Sequence, residues 1–209
     1  MPRFRVARMA DAIEIAFDDG GMNLLSSDAL RELHDTVDSC DRTVIFRSGQ
    51  PRLFAAGADM AEMERFTGVE ACQFARLGQE VFASIERLPH LTVAFIDGDC
   101  FGGALDLVLA FDLRIATPRS RFAHPGARIG IVTGFGGTSR WRKVLTRPAA
   151  NQLFLANRTF GASEALELGL IDRIGNDVGT LPALDPMVKE LTNRAERLSR
   201  YDLLRLAER

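Results

Sequence analysis

Apolar positions recur along this chain at two spacings, and they divide it into strands and helices. Phe4 to Val6 and Ile13 to Phe17 read as strands; in the second, Ile13, Ile15 and Phe17 alternate with Glu14 and Ala16, the period of a half-buried strand. Asp18-Asp19-Gly20-Gly21 makes a turn. Ser26 or Ser27 is placed to cap a helix whose Leu30, Leu33 and Val37 share one face. Thr43 to Arg47 is a β-branched strand. Met60 to Phe66 reads as a helix, and Val69 to Leu88 as a longer one with Leu77, Val81, Ile85 and Leu88 in register; Pro89 stops it. Leu91 to Ile96 is almost wholly apolar, as expected of a strand buried on both faces. Gly102-Gly103 opens a helix through Leu105, Val108 and Leu109, and Leu113 to Ala116 is the next strand. Further helices are predicted after Gly134-Phe135-Gly136-Gly137, over Ala149 to Ala156, and over Ser163 to Leu168 with Gly169 as its stop. Ile171 begins a short extended piece. A Gly/Pro-rich stretch, Gly175 to Pro186, then leads to a terminal helix marked by Val188, Leu191, Ala195 and Leu198. This alternation of strands and helices predicts an α/β fold.

Composition narrows the function classes. The 209 residues suffice for one sizeable domain. A 46% hydrophobic and 26% charged chain is an ordinary soluble globular one. A net charge of −2 gives no argument for nucleic acid or a membrane surface. No apolar run approaches the ~20 residues of a membrane span. Met-Pro-Arg-Phe-Arg at the N-terminus has no apolar core of a secretory signal. Cys40, Cys72 and Cys100 are widely spaced and odd in number, which predicts reduced thiols in a cytoplasmic protein rather than a disulfide framework or a zinc site.

Two stretches stand out chemically: Leu53 to Met60 and Ile96 to Asp106. Each is a short apolar run that breaks into small residues and turns toward a helix. Small residues allow close backbone approach to a ligand. A backbone N–H at a helix N-terminus can face a developing negative charge. The N–H groups of Ala58 and Gly103 are thus candidates for the two donors of an oxyanion hole, where losing one donor typically costs ~3 kcal/mol; close packing alone is the competing explanation for the small residues. Asp106 lies three residues beyond Gly103 in the same predicted helix, hence on the same face, where a carboxylate can transfer a proton. His124 is a second candidate acid or base, against the alternative of an imidazole packed on its loop and bonded to a backbone carbonyl. Asp97 and Asp99 flank Gly98, and a turn explains them better than a metal, since no ligand cluster accompanies them. Gly134-Phe135-Gly136-Gly137 lacks both the Lys-Ser/Thr of a P-loop and the dinucleotide spacing. Phe101 and Phe135 read as pocket wall or core.

Four segments in order resemble the crotonase (enoyl-CoA hydratase/isomerase) superfamily: Phe54-Ala55-Ala56-Gly57-Ala58-Asp59-Met60-Ala61-Glu62-Met63; Ile96-Asp97-Gly98 through Gly102-Gly103-Ala104 to Asp106; Phe111-Asp112-Leu113-Arg114-Ile115-Ala116 through Phe122-Ala123-His124-Pro125-Gly126; and Gly130 through Arg140, followed by Ala162, Ala165 and Gly169-Leu170-Ile171-Asp172. The resemblance implies a crotonase (ClpP-like) fold: repeated ββα superhelix units in two sheets ringed by helices, a core over residues 1–174, and a shortened C-terminal helical segment over 175–209. It implies an acyl-CoA thioester as substrate, with its oxygen on the N–H groups of Ala58 and Gly103. Backbone groups near Ala56, Ala58, Asp59 and Met60 would line the CoA path, along with Gly103. Coenzyme A would arrive with the substrate, with no separate cofactor and no metal. The family is usually a homotrimer or a hexamer of two trimers.

The departures from the family pattern bear on the reaction. Hydratases carry a glutamate where this chain has Asp106, whose reach is shorter by roughly one carbon–carbon bond, ~1.5 Å. They carry a second glutamate where this chain has Gly126, and many isomerases use that one as their base. Thr133 stands where proline is common, and Phe111 where a small residue precedes Asp112. Two functions follow as expectations: an acyl-CoA enzyme that stabilises a thioester enolate, working as an isomerase, a decarboxylase or a weak hydratase; or a non-catalytic acyl-CoA-binding or assembly protein that has lost the second carboxylate.

Overall fold

The computed structural model describes residues 2–155 and 158–175. The linker beyond Gly175 and the terminal helix lie outside the described residues. Strands β1 (Phe4–Arg8), β2 (Ala12–Phe17), β4 (Thr43–Ser48), β7 (Thr92–Ile96), β9 (Leu113–Ala116) and β12 (Arg173–Ile174) form one sheet in that order, parallel except for the β1–β2 hairpin. A second sheet runs β11 (Phe160–Gly161), β10 (Arg121–Ala123), β8 (Asp99–Phe101), β5 (Leu53–Ala55), and β3 (Leu24–Leu25) pairs with β6 (Gly57–Ala58).

The repeat unit is visible in this order. After β4, β7 and β9 in the first sheet, the chain bends into β5, β8 and β10, neighbours in the second, and then enters a helix. Those helices are α2 (Met60–Met63) with α3 (Gly68–Arg87), then α4 (Gly103–Val108), then α5 (Gly137–Val144) after a 3-10 turn at Pro125–Ile129. Because β5, β8 and β10 are parallel, their C-terminal ends lie side by side, and Gly57, Gly103 and His124 all follow those ends.

The long helices form where the periodicity predicts. Helix α1 (Ser27–Asp38) is capped by Ser26, whose hydroxyl accepts from Ala29 N at 3.1 Å, and it buries Leu30, Leu33 and Val37. A capping box of Thr67 and Glu70 starts α3. The buried face of α3 centres on Phe74, Gly78, Val81, Phe82 and Ile85, with Leu77 at its margin. All of β7 is buried, as its composition predicts: Ala94 and Ile96 join the main core, while Val93 and Phe95 join Ile45, Leu113 and Ile115 on the other face. Phe111 fills core space beside Phe46, with ring centroids 5.6 Å apart. The last helices are α6 (Arg147–Leu155) and α7 (Ala162–Glu167).

Two expectations change. The helix predicted over Met60 to Phe66 is a single turn ending at Met63: Asp59 caps its start, but nothing on it is buried to extend it. An extended loop after Phe122 would place residues 124 and 126 on one side; the chain instead stays extended only to Ala123 and then winds into the 3-10 turn, where Pro125 supplies a ready-made first position. No helix among the described residues is long and apolar enough to cross a membrane.

Two buried polar devices tie the layers. Asn23, with φ +51°, donates from its amide to Phe17 O, Ser48 Oγ and Phe54 O at 2.8–3.0 Å, joining the ends of β2, β4 and β5. Arg114 pairs with Asp172 at 2.6 Å, and its own backbone N–H donates to the same carboxylate at 2.8 Å. Burial pushes the Asp172 carboxyl up and the Arg114 guanidinium down, and each charge partly offsets the shift of the other. Removing one partner strands the other in the interior. Asp172→Ala is therefore expected to lower unfolding stability by about 3–5 kcal/mol, measured by urea denaturation.

Candidate active site

The sequence-predicted donors meet where the β5–β6 segment crosses the junction of β8 and α4. Gly57 has φ +102°, a backbone state that disfavours any side chain. A Cβ there would stand 2.7 Å from Phe101 O and 2.9 Å from Gly103 N; one on Gly103 would stand 3.4 Å from Ala58 N. The two backbones can run this close only because residue 57 lacks a side chain. Gly103 is the first residue of α4, so its N–H has no partner within the helix. Phe135 fixes that end from behind: its ring packs on Phe74 and Phe82, lies over Gly78, and sits 3.0 Å from where a Gly103 Cβ would be.

Of the remaining residues in the first segment, Ala56 N donates to Met22 O at 3.1 Å, Asp59 Oδ1 accepts from Glu62 N as the cap of α2, and Met60 is exposed.

Asp106 lies one turn into α4 and has no exposed surface. Burial pushes its carboxyl well above the ordinary carboxylate range, with the Arg140 charge pulling part of the way back. Thr133 Oγ1 is hydrogen-bonded to Asp106 Oδ2, while Oδ1 is buried without a hydrogen-bond partner. Space for Oδ1 exists because residue 137 is glycine; a Cβ there would collide with it. Arg140 is itself buried, donating to Phe135 O at 2.7 Å and to Glu86 at 2.8 Å. None of Thr133, Gly137 and Arg140 stood out in the sequence as a partner of Asp106. The available signal was the start of α5, where Gly137 and Arg140 share a face.

His124 lies at the end of β10, beside this centre. Ala123 O accepts from Gly102 N at 2.9 Å. The imidazole packs against Trp141 at 5.8 Å and Phe154 at 5.0 Å, and its Nε2 is buried without a hydrogen-bond partner. Burial pulls it below the usual histidine range, and a hydrogen bond with its own backbone works the other way. Trp141 follows Gly137 by one turn of α5, so one helix face touches both His124 and Asp106. Gly126 is buried beside this ring: a Cβ would lie 3.3 Å from His124 Cε1 but only 2.7 Å from Ile131 O. Position 126 thus adjoins His124, but the backbone of the turn closes off room for a longer side chain. Asp97 and Asp99 are taken up by Arg119 and Arg121 at the opposite ends of β8 and β10.

A sequence profile described as enoyl-CoA hydratase/isomerase matches residues 8–200. The chain belongs to the enoyl-CoA hydratase/isomerase family. It is 32% identical over 180 residues to a crotonyl-CoA hydratase of Syntrophomonas wolfei, covering 84% of this chain and 69% of that protein. It is 34% identical over 158 residues to a short-chain-enoyl-CoA hydratase of Clostridium acetobutylicum, covering 73% and 60%. The chain therefore spans between three-fifths and seven-tenths of the length of these relatives. Among solved structures, an enoyl-CoA hydratase from Bacillus anthracis superposes with a TM-score of 0.79 at 25% identity, over 91% of this chain and 76% of that one. An enoyl-CoA hydratase from Thermoplasma volcanium reaches 0.84 at 24% identity, over 99% and 90%, and shares the fold. The crotonase fold of this family member is the repeated ββα arrangement described above.

Two predictions follow from the geometry. Gly57→Ala combines positive-φ strain with a backbone collision and is expected to cost about 2–4 kcal/mol in denaturant unfolding. Asp106 keeps its proton in the native state where an unfolded aspartate loses it, so the native state binds more protons and its stability falls as pH rises. Asp106→Asn removes that dependence. Its melting temperature should exceed that of the parent, by a margin that widens upward from about pH 4; a variant less stable than the parent at pH 8 would contradict the role given to burial.

Proposed function

We propose that this chain is an acyl-CoA enzyme that holds a thioester enolate on the N–H groups of Ala58 and Gly103 and moves a proton at the α-carbon through Asp106. The observation that carries the reading is the Asp106 carboxyl, sealed from water one turn beyond Gly103, with one oxygen uncommitted. In deprotonation, the α C–H bond breaks, its electron pair moves into the adjacent C–C bond and onto the thioester oxygen, and Asp106 takes the proton. In the reverse sense, Asp106 gives a proton to an enolate formed by loss of CO2 or by shift of a double bond. Burial keeps the acid form populated to higher pH than in an exposed aspartate, which suits the donor role.

Isomerase and decarboxylase chemistry need one such group. Hydration with water held between two carboxylates does not fit Gly126, whose side is closed by the Ile131 carbonyl. His124, beside that position, is the group available to assist, and its depressed pKa keeps it neutral. Ala56, Ala58, Asp59 and Met60 are assigned to the CoA path, with Gly103 at the thioester. Coenzyme A arrives with the substrate, and assembly as a homotrimer or hexamer belongs to the same proposal.

A second reading, an acyl-CoA-binding protein without turnover, draws on Gly126 and on the tightly packed His124. The experiment that separates the two is α-proton exchange: acyl-CoA esters, saturated and unsaturated, in heavy water with the protein, followed by NMR. Deuterium uptake is expected at the α-carbon, falling by about a hundredfold or more in Asp106→Asn. Where Asp106 must be ionised to act as base, the rate should rise with pH through a midpoint above the ordinary carboxylate range. Binding of the esters with no uptake in any of them would favour the second reading.

A further inference from the structure

Asp106 poses a problem of supply. A carboxyl that protonates an enolate left by loss of CO2, or that exchanges a substrate α-proton with heavy water, must be restored from solvent, yet no part of Asp106 reaches solvent. Among the described residues, four groups face it. Gly137 of α5 presents only its backbone. Arg140 of α5 acts on Asp106 by its charge, but a guanidinium does not release its proton. Cys100 of β8 is fully buried, and its thiol is pushed up first by burial and then by the Asp106 charge, so it offers no path outward. The fourth is Thr133, hydrogen-bonded to Oδ2.

Thr133 and Arg140 both border open space, and of the two only the Thr133 hydroxyl can pass a proton on. A cavity of about 350 Å3 lies between α3 and α5, lined by Thr133 together with the polar side chains of Gln79, Glu86, Thr138, Ser139 and Lys143. It has room for several waters, each taking roughly 30 Å3 of liquid volume, and polar groups to hold them. Gln79 braces the Thr133 loop by donating to Gly134 O at 2.7 Å.

We propose that the Thr133 hydroxyl is a positioning residue that orients the Asp106 carboxyl and relays its proton to and from this cavity. In the charging direction, the Thr133 O–H bond breaks as its proton passes to Asp106 Oδ2. A protonated water or buffer acid in the cavity supplies a replacement to Thr133 Oγ1. The hydroxyl is regenerated, the carboxylate becomes a carboxylic acid, and the cavity donor loses one proton. No oxidant or second cofactor enters. Discharge is the same path reversed. The inference rests on the reading of Asp106 as the group that moves the proton, but its central test needs no substrate.

The test is infrared difference spectroscopy on the whole chain. The carbonyl band of the protonated Asp106 carboxyl is assigned as the band lost in Asp106→Asn. On transfer to heavy water, the rate at which that band shifts reports exchange of the carboxyl proton. Thr133→Val keeps the shape and removes the hydroxyl; Thr133→Ser keeps the hydroxyl. The expected result is a band displaced to higher frequency in Thr133→Val, with exchange slowed at least tenfold, and parental exchange in Thr133→Ser. With acyl-CoA esters, Thr133→Val should lower deuterium uptake while leaving ester affinity within about twofold. Exchange in Thr133→Val as fast as in the parent would overturn the relay, as would slow exchange in Thr133→Ser equal to that in Thr133→Val. If the parent incorporates no deuterium into any ester while its carboxyl band behaves as expected, the relay stands and the enzymatic reading falls.

Discussion

The contact on which the site depends is backbone against backbone. Gly57, bent into a positive φ, lies against Phe101 O and Gly103 N, and a single Cβ on Gly57 would fill the gap. Through that crossing the first parallel strand of the small sheet is set beside the start of α4. Two N–H-bearing segments far apart in the chain then border one small space. Van der Waals packing holds the arrangement from behind, because Phe135 is wedged between α3 and Gly103, and Gly78 leaves room for its ring. In the proposed reaction a preorganised pair of donors would cost little to align at the moment charge develops, and rigid glycine contacts suit that task better than mobile side chains.

At Asp106, stability and the proposed chemistry pull in opposite directions. Sealing a carboxyl away from water disfavours its charged form, and one of its oxygens has no hydrogen bond. Helix α5 supplies the counterweight. Its first residue, Gly137, yields the space, and Arg140, held by Phe135 O and Glu86, contributes a positive charge. The same helix face carries Trp141 onto His124. One element thus sets the environments of both candidate proton-transfer groups, and both environments favour their neutral forms.

Much of this architecture was legible in periodicity. The face of α1, the fully buried β7 and the start of α4 at Gly103 all follow from spacing and caps, because burial of a long apolar pattern is a local property amplified by length. The strands of the second sheet and the β3–β6 pair were not legible. They are two or three residues long, too short for any period to register, and they exist only because their partners are present. The Asn23 hub belongs to the same class, since a lone asparagine in a turn does not announce that three strand ends converge on it.

The sequence by itself determined the α/β alternation and the family, and it singled out Ala58, Gly103 and Asp106 as candidates for the proposed centre, because small residues before a helix and a carboxylate one turn into it constrain the backbone locally. Only the tertiary structure decided how Asp106 is housed. Thr133, Gly137 and Arg140 reach it from a loop and helix about thirty residues away, and the distances that make a carboxyl buried, bonded on one oxygen and bare on the other are set by packing between layers. Tertiary structure likewise turned Gly126 from a missing side chain into a closed position, since what blocks it is the carbonyl of Ile131, a backbone atom that no side-chain pattern could disclose.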